Sequence, residues 1–307
     1  MKECSTVSFS SSANLGPGFD TLAIAHTAFS DRITVYPLDH GSEKRIAVDC
    51  EGIAGDPLAN TAGRAAGALL DETGIRDAIK IVIHKGVPYG LGLGSSGSSA
   101  AGAVKAINEL FSLDLPLNDL VRFAMEGERA SSGSPHADNV SASLFGEIAF
   151  VQSTSPVKVR KFSMDERIKI LLLIPKIHIA EKTRKAREMV PHSVTLEDHI
   201  QNSRRLSGLI MGLQNGDRDL IAESMHDDIV EKARLPMFPF YPEVKEMSLK
   251  NGAISVSVSG AGPSILEFTD SRTDIRSIIS KAESIFARTG VPFTYCKCDI
   301  AGGAFVE

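Results

Sequence analysis

Cysteine is scarce. The 307 residues hold four, Cys4, Cys50, Cys296 and Cys298, and no pair has the two-residue spacing of a zinc or redox motif. So few thiols in so long a chain suit a reducing compartment. Cys296 and Cys298 alternate as a strand would place them, on one face, where packing is their expected role. Long apolar runs are also missing. The strongest, Ile168 to Ile174, is interrupted by Lys169 and is far too short to cross a bilayer. The first residues show no basic-then-apolar signal pattern, so a cytoplasmic protein without a membrane partner is expected. Positive charge is not in excess: 33 Lys and Arg against 38 Asp and Glu leave −5, which gives no electrostatic reason to bind nucleic acid.

What is present is a long chain of globular composition, sufficient for two ordinary domains. Periodicity predicts strands at 6–9, 31–36, 45–48, 79–83, 147–151, 168–174, 253–257, 264–268 and 294–299. It predicts helices at 60–72, 99–110, 117–130, 199–214, 217–226, 242–251 and 272–288. Polar residues and a proline at Ser153-Thr-Ser-Pro156 suggest a boundary, dividing the chain into 1–155 and 156–307.

One run stands out: Val87-Pro88-Tyr89-Gly90-Leu91-Gly92-Leu93-Gly94-Ser95-Ser96-Gly97-Ser98-Ser99, between a predicted strand and a predicted helix. Glycines let a backbone approach a ligand with its amides bare. A helix start adds unsatisfied N–H groups and the positive end of the macrodipole, a combination that holds phosphate. A Walker A loop is excluded, because no lysine occurs between Lys85 and Lys105. The letters Gly92-x-Gly94-x-x-Gly97 fit a dinucleotide fingerprint, yet the acid that should end a second strand is missing; only Asp114, just past a helix, lies at that distance. A flexible Gly/Ser linker fits poorly between such strongly patterned flanks. A hydroxyl-rich nucleotide loop without lysine is the remaining reading.

Val87 to Ser98 resembles, residue for residue, the ATP-binding signature of the GHMP kinases. Ser11-Ser-Ala-Asn14-Leu-Gly-Pro-Gly-Phe-Asp20 resembles the family's N-terminal substrate motif in the form typical of its homoserine kinase branch. Val258-Ser-Gly-Ala-Gly-Pro-Ser264 resembles its glycine-rich C-terminal motif. The resemblance implies an α+β, two-domain GHMP kinase fold, with an N-terminal half like the second domain of ribosomal protein S5, a ferredoxin-like C-terminal half and a site in the cleft between them. It also implies ATP and Mg²⁺ as cofactors, L-homoserine as the small-molecule substrate on the route to threonine, and a homodimer.

The resemblance further assigns residues. ATP would be held by Pro88, Tyr89, Gly90, Leu91, Gly92, Leu93, Gly94, Ser95, Ser96, Gly97 and Ser98, with Asn60 at the adenine or ribose. Ser96 and Glu128 would bind the metal. Arg187 and Arg234 would hold the substrate carboxylate, a task that suits a guanidinium fork. Asn14 and Asp20 would face the ammonium, with His136 completing the pocket. Asn139 stands where several GHMP kinases have an aspartate base, so direct attack by the hydroxyl is expected, with Asn139 orienting it and Thr183 and Arg187 beside it; Asp138 is the rival base. Simpler roles stay open. Asn60 and Asp20 suit helix caps, His136 a structural hydrogen bond, and the arginines an exposed helix face. Another small alcohol of the mevalonate or shikimate type, or a sensor without turnover, is the alternative reading.

Overall fold

The computed structural model describes residues 3–38, 45–51 and 55–307, without the side chain of Ser132. The first half carries β1 (Cys4–Asn14), β2 (Gly18–Pro37), β3 (Ile46–Cys50), α1 (Thr61–Thr73), β4 (Ile79–His84), α2 (Ser95–Leu110), α3 (Leu117–Ser132), α4 (Asp138–Phe145), β5 (Ile148–Thr154) and β6 (Val157–Phe162). The second carries β7 (Lys169–Pro175), α5 (Lys182–Glu188), α6 (Leu196–Asn215), α7 (Arg218–Ser224), α8 (Val230–Arg234), α9 (Tyr241–Lys250), β8 (Ser255–Val258), β9 (Ile265–Thr269), α10 (Ile275–Thr289), β10 (Phe293–Cys298) and β11 (Phe305–Val306).

Two sheets organise these elements. In the first, the path β11-β1-β2-β4-β3 is joined by the β5–β6 hairpin, which pairs with the long strand β2. Residues 153–156 form the turn of that hairpin, and the chain passes to the second sheet only after Phe162. The last residues return: β11 pairs with β1, and Ala301 donates to Ala25 O. The second sheet has the antiparallel order β10-β7-β9-β8, the arrangement of a β-α-β-β-α-β unit.

Packing explains the strand patterns. Along β7, Ile170, Leu172 and Ile174 face the core shared with Leu22 and Ile24 of the first sheet and Leu15 of the β1–β2 turn, while Leu171 and Leu173 face Tyr241, Ile278 and Phe286. Burial on both faces is why this strand reads as one continuous apolar run. The shared core fixes the two halves against each other without a linker.

Helix starts depart from the periodic expectation in one telling place. α2 begins at Ser95, not Ser99, with Gly94 as a left-handed N-cap at φ 68°. Serine and glycine have low helix propensity, so sequence alone delays the start; packing overrides it. Gly102 shows how close α2 sits: a Cβ there would lie 2.3 Å from Ile33 Cδ1. Asp217 and Gly216 do begin α7 and end α6 as expected. Asp20 caps no helix, because it lies within β2 at φ 55°.

Asp31, fully buried on β2, joins the sheet to the loop ahead of α2. Its Oδ1 accepts from the amides of Gly86 and Val87 (3.0 and 2.9 Å), and its Oδ2 from Ser99 Oγ (3.1 Å) and Lys85 Nζ. Lys85 also donates to Ser95 O (2.9 Å). Removing the carboxylate leaves an ammonium whose side chain is only 10% exposed without its counter-ion. Asp31→Ala is therefore expected to lower the unfolding free energy by about 3–5 kcal/mol, read by urea denaturation; a loss under about 1 kcal/mol would contradict this anchoring role.

Candidate active site

A cleft of about 540 Å³ opens between the two halves. One wall is the loop from Pro88 to Ser96 with the ends of α3 and α4; the other is α5, Arg234 and the turn at Gly260 and Ala261.

The three glycine-rich segments meet here through backbone. Ser11 N donates to Leu93 O (3.1 Å), Ser264 N to Leu91 O (3.2 Å) and Gly260 N to Ala13 O (3.0 Å). Gly92, at φ 80°, has room for no side chain: a Cβ would sit 2.4 Å from Ser259 O. Gly94 is equally constrained, with Ser11 Oγ 2.1 Å from the same imagined atom. The first α2 amide with an acceptor inside the helix turn is Ser98, donating to Gly94 O (2.8 Å). The amides of Ser95, Ser96 and Gly97 precede it at the positive end of the helix, as an anion site requires.

Most of the expected residues come together. Asn14, Asp20, Pro88, Tyr89, Gly90, Gly92, Leu93, Gly94, Ser95, Ser96, Glu128, His136, Asn139, Thr183, Arg187 and Arg234 line this one cleft. Four are off its wall. Leu91 packs against the shared core, Gly97 presses on Asn139, and Ser98 Oγ donates to Ser8 O (3.0 Å). Asn60 caps α1, its Oδ1 accepting from Ala62 and Gly63 amides (2.9 and 3.2 Å).

Charge is segregated along the cleft. Near the helix start, Ser96 Oγ donates to Glu128 Oε2 (3.1 Å), and burial pushes the Glu128 carboxyl up to about 7, with Asp138 adding to the shift. Burial likewise raises Asp138 to about 6, helped by Asp20, although its Oδ1 accepts from the Asn139 amide (2.7 Å). Asn139 Oδ1 accepts from Ser11 Oγ (2.8 Å), which leaves the amide NH₂ as the end of that side chain able to donate towards a ligand.

At the other end, Arg187 Nη1 and Asp20 Oδ2 form an ion pair at 2.6 Å. Arg234 is only 7% exposed, so it is no surface residue; its Nε donates to Ala186 O (2.9 Å). Burial and Arg187 hold its guanidinium down at about 10. Phe19 lies under both arginines, 5.0 and 5.1 Å from its ring centre, a platform that sequence reasoning does not single out although it sits inside the quoted motif. His136 has its pKa lowered by burial and by the nearby Arg187. Lys85 and Lys182 also touch the loop, and sequence reasoning singles out neither, although Lys182 belongs to the basic stretch Lys182-Thr-Arg-Lys-Ala-Arg187.

Comparisons with known proteins identify the family. The family model for GHMP kinases N terminal domain matches residues 60–147, and that for GHMP kinases C terminal matches 209–288. A homoserine kinase of Saccharolobus solfataricus is 49% identical over 97% of this chain and 96% of its own length. One from Sulfurisphaera tokodaii is 47% identical over 97% of each. The crystal structure of homoserine kinase from Cytophaga hutchinsonii superposes with a TM-score of 0.91 at 30% identity, covering 100% of this chain and 98% of that one.

The raised Glu128 pKa gives a signed expectation. Between its ordinary value of 4.5 and about 7, the unfolded chain releases this proton while the folded protein keeps it, so stability falls as pH rises. Glu128→Gln is expected to flatten that decline, measured as thermal midpoint against pH without added metal or nucleotide. Parallel curves for parent and variant across the window would refute it.

Proposed function

The chain belongs to the GHMP kinases, and from that premise we propose that it transfers the γ-phosphoryl group of ATP to the side-chain hydroxyl of L-homoserine, giving ADP and O-phospho-L-homoserine. That it is an ATP-dependent small-molecule kinase follows from the family and its relatives. One observation carries the choice of acceptor: the Asp20–Arg187 pair, with Arg234 behind it, shares a cleft with the bare amides of α2. A zwitterion can replace that ion pair internally, its ammonium on Asp20 and its carboxylate on the two guanidiniums. Mevalonate or shikimate has no ammonium for Asp20. A non-catalytic sensor would not need the hydroxyl–carboxylate pair at Ser96 and Glu128.

In this reading Asn14 shapes the ammonium end. Its Nδ2 donates to Gly260 O (3.0 Å) and its Oδ1 accepts from the Asp20 amide (3.3 Å). His136 closes the pocket. Ser96 and Glu128 offer hard oxygen donors of the type Mg²⁺ prefers, few in number, which leaves its other positions to water and phosphate. The ion would neutralise charge on the phosphates. The acceptor oxygen forms its bond to Pγ as the bond to the ADP oxygen breaks, and the hydroxyl proton passes to an oxygen of the transferring group. Asn139 directs the hydroxyl, with Thr183 and Arg187 beside it; a loose transition state asks mainly for such positioning and charge stabilisation. The reading includes a reducing cytoplasm, supported by four free thiols, and a homodimer, supported by the family resemblance.

Mg-ATP with a panel of small alcohols, followed by ADP release, tests this: homoserine alone should drive turnover, and turnover with mevalonate or shikimate instead would overturn the acceptor. Arg234→Ala is expected to raise KM for homoserine about 10²-fold with KM for ATP little changed. For the base-free step, Asp138→Asn should keep most of kcat and Asn139→Ala should lose more. Near-complete loss in Asp138→Asn, with folding and ATP binding intact, would make Asp138 the base.

A further inference from the structure

Lys182 is the feature that this reading leaves unexplained. Only 8% exposed, it stands at the start of α5 and lines the cleft. Its Nζ donates to Gly90 O (2.7 Å) in the phosphate loop and to Gly262 O in the C-terminal turn. An ammonium carries three N–H donors, and two are spent on these carbonyls.

Lys85 differs from Lys182 in its partner. Lys182 is buried and Lys85 half-buried, and both touch the loop, but Lys85 is paired with the Asp31 carboxylate. Among the described residues no carboxylate forms a salt bridge with Lys182, and the charged neighbour that acts on it most is another cation, Arg234. Burial and that guanidinium hold its pKa down at about 7. A buried ammonium without a counter-ion is an unfavourable arrangement unless an anion arrives. The carbonyls fix the ammonium against the loop that presents the α2 amides, so the anion that belongs there is the nucleotide's polyphosphate. The substrate carboxylate has its own cations at Arg187 and Arg234.

We propose that Lys182 is a phosphate-binding residue of the nucleotide site, delivering from the second half of the chain the cation that the glycine–serine loop lacks. The inference rests on the nucleotide reading of that loop and adds the residue that contacts the phosphates. It assigns the lysine a double role. Two N–H groups hold Gly90 to Gly262, and the third meets a phosphoryl oxygen, where charge neutralisation contributes most to transfer.

The test compares the parent enzyme with Lys182→Met, which keeps length without charge, and Lys182→Arg, which keeps charge. Calorimetry with Mg-AMPPNP and with adenosine, the thermal midpoint, and steady-state kcat are measured on each. Lys182→Met is expected to bind AMPPNP on the order of tenfold more weakly and to lose about 10²-fold in kcat. Its adenosine binding and KM for homoserine should hold, and Lys182→Arg should recover most of the loss. AMPPNP affinity and kcat within twofold of the parent would overturn the proposal. So would equal weakening of AMPPNP and adenosine with a lowered thermal midpoint, the signature of a strap between two loops. Failure of the parent itself to bind AMPPNP would sink the nucleotide reading and this inference together; tight binding that survives Lys182→Met overturns the lysine alone.

Discussion

The contact between the loop at Gly92 and the turn at Ser259 holds the site together. Two backbones approach here more closely than any Cβ permits, and Ser259 Oγ closes the gap, 2.6 Å from Gly92 O. The same hydroxyl lies 2.7 Å from Ser12 Oγ, whose other neighbour is His26 Nε2 at 3.1 Å. His26 is wholly buried, and burial drives its pKa to about 3, so it stays neutral and serves as a fixed polar joint. A hydrogen-bonded line thus runs from the interior of the first sheet through the substrate motif to the C-terminal turn and the phosphate loop. Such a line orders the loop before any ligand arrives, and preorganised donors are the largest contribution an enzyme makes to charge stabilisation.

That ordering leaves the charges of the cleft in an uncomfortable state. Glu128 and Asp138 are buried carboxyls pushed upward, while Lys182 and Arg234 are buried cations pushed downward. Each sits near a group of its own sign. A structure selected for stability alone would interleave them. Here Glu128 and Asp138 gather by the helix start, Lys182 and Arg234 face them from the second half, and Asp20 pairs with Arg187 between, the pattern of a site shaped for ligands carrying both signs. An amino-acid zwitterion and a metal-bound triphosphate are such ligands.

Much of this was legible in the sequence because the chemistry is local. The loop from Pro88 to Ser96 stands out by its glycine and serine spacing, and Asn14 and Asp20 sit in a quoted motif that the structure brings to the same cleft. Elements whose identity depends on distant packing were not legible. β2 runs unbroken from Gly18 to Pro37, yet its first half carries a bulge-like register shift against β1 and a left-handed Asp20, so its periodicity is lost. α4 (Asp-Asn-Val-Ser-Ala-Ser-Leu-Phe) is poor in helix formers and folds because its buried face packs on β1, β2 and α2. The β5–β6 hairpin continues the first sheet through a Ser-Pro turn whose composition reads as a boundary.

Lys182 shows the deeper reason for such gaps. In the sequence it is one member of a basic run, indistinguishable from Arg184 and Lys185, which the structure leaves exposed. Only the docking of α5 beside Gly90 and Gly262 removes it from water, where no carboxylate among the described residues forms a salt bridge with it. The division of labour between the halves then follows from physical need. A loop whose amides are to be approached closely by an anion is built of glycine and serine, and here it holds no lysine of its own between Lys85 and Lys105. Lys182 brings a cation to that loop from across the cleft, on a separate helix. It also makes the positive side of the site depend on the apolar core shared by Leu15, Leu22, Ile170 and Leu172, because that packing sets the distance between the walls.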